Sequence, residues 1–443
     1  MEMKDLLRFI EAEDEKLKKG YDSLADEEVA ILARTALLSD EIGELCEQVL
    51  VCNFQRFMSR KLSLYREVVH YMEELKQLVH QAVEVCMGIK EGENVWIYSW
   101  DHTTDLAFDI AFACRQSGAQ PFVTLLTEDY WMRSLVETPK ELLETLPSHQ
   151  AAALEQTDAF IFMLGPKSPI DWDRIPPEKR GLANVWYSDS NRYLDSWRKI
   201  AKENSIRMLG IEYCLATKEW SQAWGLDHAR WRRVMLAGCI TDQREIARKA
   251  AELARIIRDG HEVSVRTPSG TNLKFGLAGR RPIIGDSIVS EKDATEGTVK
   301  FLPSGFVETA ADEDSADGKV VYDSPILVRG AKRIEGLTLE FNHGKLGKYS
   351  ARVGVEAFRK YLHSAGGDVD KFGFFGIGLN PGLKHGFTQD DKVSGGFTLG
   401  VGGNEDKGGR NRTTGNRHWW ASMTRATVHI DDELVLENGL ETF

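Results

Sequence analysis

His418 stands in the string Arg417-His418-Trp419-Trp420 and is the side chain best suited to proton transfer, since a free imidazole titrates at about pH 6.5. Glu308 follows Phe306 by two residues, and on a strand that spacing returns its carboxylate to the same face as the ring. Asp390 and Asp391 precede Lys392 in a loop-like stretch and read as a turn with a local ion pair. Arg280 could pair with a substrate carboxylate or make a structural salt bridge. Arg410, Arg412 and Arg417 form a basic cluster close to His418 in the chain. His429 and Asp431 have His-X-Asp spacing, but they read as positions on a late strand.

The elements that must carry these residues change character along the chain. Residues 1–75 read as a helical extension: Leu37, Leu38, Ile42, Leu45 and Val49 recur at helical spacing, and no proline occurs before Pro121. Residues 76–237 alternate between strand and helix, as in a parallel sheet covered by helices. Strands are expected at 94–98, 121–125, 159–164 and 205–211, with a helix over 105–117. Residues 238–443 open near Gly238, pass through a helix over 242–259 stopped by Gly260, and then become strand-rich. Glycines crowd 373–415, which suits an antiparallel sheet or partly closed barrel.

Composition narrows the function classes. The 443-residue chain carries 56 Lys and Arg against 68 Asp and Glu, a net charge of −12, so long-range attraction to nucleic acid is not expected. No apolar run is long enough for a membrane span. The six cysteines are scattered without a C-x-x-C pair, which suits reduced thiols in a cytoplasmic protein. No G-x-G-x-x-G turn follows the early strands, so dinucleotide binding has no support.

Several stretches, in order and at matching spacing, resemble the aminopeptidase T type of thermophilic metallopeptidases. That family shares its fold with 2,5-dihydroxypyridine dioxygenases. The stretches are Thr267-Pro268-Ser269-Gly270-Thr271-Asn272-Leu273, Leu302-Pro303-Ser304-Gly305, Ser315-Ala316-Asp317-Gly318, Gly376-Ile377-Gly378-Leu379-Asn380-Pro381 and Gly415-Asn416-Arg417-His418-Trp419. The similarity reaches back to about Lys76. It implies an α/β domain followed by a β-rich domain, a homodimer, and two divalent ions (Zn, Co or Mn) held by carboxylates and imidazoles.

The chain departs from the pattern at the implied ligand positions. Phe306 takes the place of a Glu in Pro-X-Gly-Glu-Val, and Phe374 that of a second Glu before Gly-Ile-Gly. Phe397 stands at or next to a His, and Trp420 replaces the Asp of His-Trp-Asp; only His418 is kept. Rings cannot replace oxygen and nitrogen donors around a divalent ion. The expectation is therefore a metal-independent relative with no cofactor. Its pocket would be lined or plugged by Phe306, Phe374, Phe397, Trp419 and Trp420, with Arg280 and Arg417 at its rim and His418 and Glu308 as catalytic candidates. It would bind or transform an aromatic or apolar small molecule, or be a pseudoenzyme, with a small molecule or peptide as its partner. The alternatives are a metal-dependent aminopeptidase with shifted ligands such as Glu308, His418 and Asp391, and an assembly protein with a filled cavity.

Overall fold

The structure, a computed structural model, describes residues 69–183, 191–364, 366–415 and 417–443. The expected helical stripe at Leu37–Val49 lies outside them. Lys76–Phe443 forms one compact unit.

Its first part is an open parallel sheet. Strands β1 (Asn94–Trp100), β2 (Gln120–Leu126), β3 (Ala159–Met163) and β4 (Arg207–Ile211) lie in the order β2-β1-β3-β4. Every residue of β3 is buried, as helices covering both faces of a parallel sheet require. The helix Thr104–Gln116 follows β1, close to its expected span.

Gly238 lies in the last turns of the helix His228–Ile240. A Cβ there would collide with Leu383 and Pro303, so close packing explains the glycine. The next helix, Gln243–Asp259, begins where the Asp242 side chain accepts hydrogen bonds from the N–H groups of Arg244 and Glu245. Its Ile246, Ala250, Leu253, Ala254 and Ile257 form the buried stripe. Gly260 follows its last residue, and there Ile430 occupies the space a side chain would need.

The strands that follow are β5 (Glu262–Arg266), β6 (Asn272–Gly276), β7 (Ile283–Gly285), β8 (Val299–Leu302), β9 (Phe306–Ala310), β10 (Asp317–Val321), β11 (Ile326–Val328), β12 (Lys332–Ile334), β13 (Thr338–Asn342) and β14 (Lys345–Ser350). After the helix Val355–Ser364 come β15 (Phe372–Gly378), β16 (Phe397–Gly402), β17 (His418–Met423), β18 (Thr427–Ile430), β19 (Glu433–Glu437) and β20 (Leu440–Glu441). Strand β8 returns to the parallel sheet beside β4. An eight-stranded sheet runs β14-β13-β10-β6-β5-β18-β19-β20, and a five-stranded sheet runs β17-β16-β15-β9-β7. The fold is thus a parallel α/β layer joined to antiparallel sheets.

Side-chain period sets how the two larger antiparallel sheets meet. Val263, Val265, Leu273 and Phe275 of the eight-stranded sheet face Phe375, Ile377, Phe397 and Leu399 of the five-stranded one in a single core. Phe275 touches Phe372 and Phe375, with ring centroids 4.9 and 5.1 Å apart. Strands β5 and β6 alternate buried with more exposed positions, whereas β15 and β16 are buried at every residue. The second face of the five-stranded sheet is therefore covered too, and it carries the candidate site.

Phe375 is fully buried in the shared core. Phe375→Ala is expected to cost about 3–5 kcal/mol in chemical denaturation. Phe122→Ala, at a ring 54% exposed, should shift stability by less than about 0.5 kcal/mol.

Candidate functional site on the covered face of the five-stranded sheet

Directly paired residues of antiparallel strands point the same way, so register assigns the faces. Phe374 pairs with Ala310 and Gly400, Gly376 with Glu308 and Thr398, and Gly378 with Phe306. Across β16, Thr398 pairs with Ser422, Gly400 with Trp420 and Gly402 with His418. Phe306, Glu308, Phe374, Thr398, His418, Trp420 and Ser422 therefore share one face.

The two phenylalanine rings lie against glycine. The Phe306 ring occupies the space above its cross-strand partner Gly285, and the Phe374 ring occupies the space above Gly400; neither glycine has room for a Cβ. Covering a strand glycine with a neighbouring ring is a stable packing device. The rings lean to opposite sides, Phe306 toward β7 and Phe374 toward β16. Between them stand Glu308 and the Thr398 and Ser422 hydroxyls, which are 2.7 Å apart.

A cation reaches this face. Lys407 sits on the short turn Glu405–Lys407, with its ammonium 4.6 Å from the centroid of the Phe374 ring and 3.3 Å from a Glu308 oxygen. It also donates to Asp406 at 2.8 Å. Its side chain is only 8% exposed, so these groups must do what water would otherwise do. Burial pulls the Lys407 pKa down, but the carboxylates of Glu308 and Asp406 outweigh it and hold the ammonium above its usual range. Burial pushes the Glu308 carboxyl up, and the Lys407 charge offsets part of that shift.

His418 packs edge-on against Phe374, with ring centroids 5.2 Å apart at 83°. Its Nδ1 is buried and has no hydrogen-bond partner among the described residues. Burial, assisted by the Lys407 charge, lowers its pKa to about 4, so the imidazole is neutral near pH 7. Asp391 lies close enough to Glu308 for the two charges to interact; burial raises its pKa to about 6. His385, on the loop between β15 and β16, places its ring beside Gly396.

Other expected members go elsewhere. Phe397 points to the opposite face and stacks on Phe375 at 5.9 Å, fully buried in the shared core. Thr398, one residue on, takes the site-facing position. Trp419 likewise faces the core side, 4.8 Å from Phe358 and 5.6 Å from Tyr322. Arg280 is structural: its guanidinium pairs with buried Glu313 at 2.7 Å and donates to the Ala311 carbonyl. Arg417 is exposed, and its carbonyl accepts from Gly403 and Thr413. Asp390 holds a turn by accepting from the Gly386 and Phe387 N–H groups. His429 pairs with Ser264 in the eight-stranded sheet, and Asp431 accepts from the N–H groups of His261 and Glu262. Among the described residues, no three His, Cys, Asp or Glu side chains come together as a metal-binding group. Lys407 had one sequence signal, as the sole lysine in the glycine-rich run from Gly395 to Gly415.

Residues 71–369 match the thermophilic metalloprotease (M29) family. The chain belongs to that family. The matched stretch ends just before β15, so Phe374, Lys407, His418 and Trp420 lie beyond it. Among solved structures, the wild-type AmpT from Thermus thermophilus is similar at 19% identity and a TM-score of 0.59, over 84% of this chain and 100% of that one. The 2,5-dihydroxypyridine dioxygenase from Pseudomonas putida KT2440 is similar at 17% identity and a TM-score of 0.53, over 83% of this chain and 96% of that one. At these identities the likeness is one of fold. No curated protein matches the chain. No helix among the described residues is long and apolar enough to cross a membrane.

Two predictions follow from the buried charges. Burial raises the Glu313 pKa, but hydrogen bonds from Arg280, the Arg410 N–H and Asn404 outweigh it and hold it at about 2, below the ordinary 4.5. Its contribution to stability is thus complete above pH 4.5 and is lost as pH falls toward 2. Arg280→Ala should cost about 3–5 kcal/mol at pH 7 in chemical denaturation and move the acid transition to higher pH. For His418, imidazole NMR shifts should report the neutral ring throughout pH 5–8, with titration near pH 4.

Proposed function

We propose that this chain is a metal-independent member of its family, and that the covered sheet face binds a small molecule with a flat apolar part instead of hydrolysing peptides through bound ions. The observation that carries this reading is the set of side chains at the implied ligand positions. Phe306, Phe374 and Trp420 share one face with His418, and Thr398, the residue after Phe397, faces it too. Divalent ions in such sites need several oxygen or nitrogen donors, and rings provide none. The residues present do not fit a two-ion centre.

The reading with shifted ligands has less support. Glu308 is engaged by Lys407, and Glu308, His418 and Asp391 do not form a metal-binding group among the described residues. Phe306 and Phe374 each lie back on a neighbouring glycine, but Phe374 is buried there, so the flat surface left for a ligand is at Phe306 and Trp420. Phe306 and Trp420 remain partly exposed and offer flat surfaces for stacking. His418, neutral near pH 7 and packed against Phe374, offers a ring nitrogen as a hydrogen-bond acceptor.

Metal analysis of the purified protein, together with release of N-terminal residues from model peptides, tests the reading. The expected result is well under one equivalent of tightly bound metal per chain and no chelator-sensitive peptide cleavage. Two equivalents of zinc, cobalt or manganese with such cleavage would overturn it. In a thermal-shift screen of planar aromatic compounds, a binder should raise the melting temperature by mass action, and Trp420→Ala should remove that rise.

A further inference from the structure

The metal-independent reading leaves one question: what occupies the volume above Phe374. We infer that the Lys407 ammonium is the built-in cation of this sheet face and that its presence excludes a divalent ion. The inference rests on that reading and names the residue behind it.

The geometry is specific. Phe374 stands where the resemblance implies a carboxylate ligand, and the ammonium lies 4.6 Å from the centroid of its ring. The same ammonium is 3.3 Å from Glu308, the one carboxylate that β9 presents to this face. Ring face and carboxylate are the two kinds of surface that attract a cation, so this position is electrostatically favourable for positive charge. A divalent ion seated there would meet like charge at contact distance inside a covered region, where screening is weak.

The loop that delivers Lys407 is built to hold it. Asn404, fully buried, donates to the Gly373 carbonyl at 2.7 Å and to Glu313 at 3.1 Å, and its Oδ1 accepts from the Asn411 N–H. Gly408, at φ +78°, turns the chain back directly after Lys407, a conformation that favours glycine. Gly409 packs on the Asn404 side chain with no room for a Cβ. A lysine that was merely solvated would need no such anchorage, nor would it lie 8% exposed against a phenyl ring.

A double-mutant cycle on the full chain tests the pairing. K407M should lower the melting temperature by several degrees, because it leaves the Glu308 carboxylate enclosed without a partner. Adding E308Q should recover at least half of that loss. Equal melting temperatures for K407M and the wild type, or losses that simply add, would overturn the inference. Equilibrium dialysis against Zn²⁺ and Mn²⁺ tests the exclusion. F374E alone should bind no stoichiometric ion, because Lys407 pairs with the new carboxylate, whereas F374E/K407M should take up about one ion per chain and gain thermal stability from it. Uptake by F374E alone equal to that of the double variant would overturn the inference. If F374E/K407M fails to fold, F374D and F374D/K407M take their place in the dialysis, and equal uptake by those two would likewise overturn the inference. Tightly bound metal in the wild type would defeat the metal-independent reading and this inference together. A metal-free wild type with uncoupled K407M and E308Q would defeat only the inference.

Discussion

A charge enclosed by protein must find an opposite charge or give up its ionisation, and three loops of this fold are organised by that constraint. Lys392 pairs with Glu212 at 2.7 Å, Arg280 with Glu313 at 2.7 Å, and Lys407 with Glu308 at 3.3 Å, each pair largely or wholly buried. The first ties the loop between β15 and β16 to the end of β4, where Lys392 also donates to the Pro303 carbonyl. The second fixes the segment after β6 to the one before β10. The third anchors the turn after β16 to β9. Removing one partner of such a pair costs more than forming the pair contributes, because the other charge stays behind. Loops that would otherwise vary freely around a sheet are thereby given one arrangement.

The same face is shaped by volume as well as charge. Large rings on one strand are matched by glycines on the next: Phe306 by Gly285, Phe374 by Gly400. An alanine at either glycine would displace a ring, and displacement of Phe374 would take away one wall of the Lys407 site. Ring, glycine, ammonium and carboxylate are mutually dependent, and a change at one alters the environment of the other three. Dense interiors transmit such changes because they contain little free space.

Much of this was legible in the chain. Period and punctuation located β1, β3, β5 and the helix Gln243–Asp259 to within a residue or two, since apolar alternation and capping residues act locally. The strand β9 and its consequence, Phe306 and Glu308 on one face, followed from the period of two. The side chains misassigned to the site failed for the same physical reason. A strand inverts its face at every residue, so uncertainty of one position in aligning Phe397 moved it from the site to the core, and Trp419 sits one step from Trp420 across the same boundary. Arg280 was ambiguous because its partner, Glu313, is 33 residues away, and only the fold brings the two together. Lys407 lay hidden because being the sole lysine of a glycine-rich run does not by itself separate it from a solvated one. Its role depends on Phe374 and Glu308, which belong to different strands.

Shared architecture does not by itself fix the chemistry of the site face, because core and site side chains project from opposite faces of the same strands. The family match covers the parallel sheet and the first strands of the antiparallel region, whose packing depends on apolar period and tight turns. The chemistry depends on a few side chains projecting from β9, β15, β16 and β17, and these can change while the shared core on the opposite face stays intact. Phe375, Ile377, Phe397 and Leu399 hold the sheet against its neighbour whatever Phe374 and Thr398 present on the other side. Alternation of faces along a strand thus lets the core face be kept for stability while the residues on the other face differ.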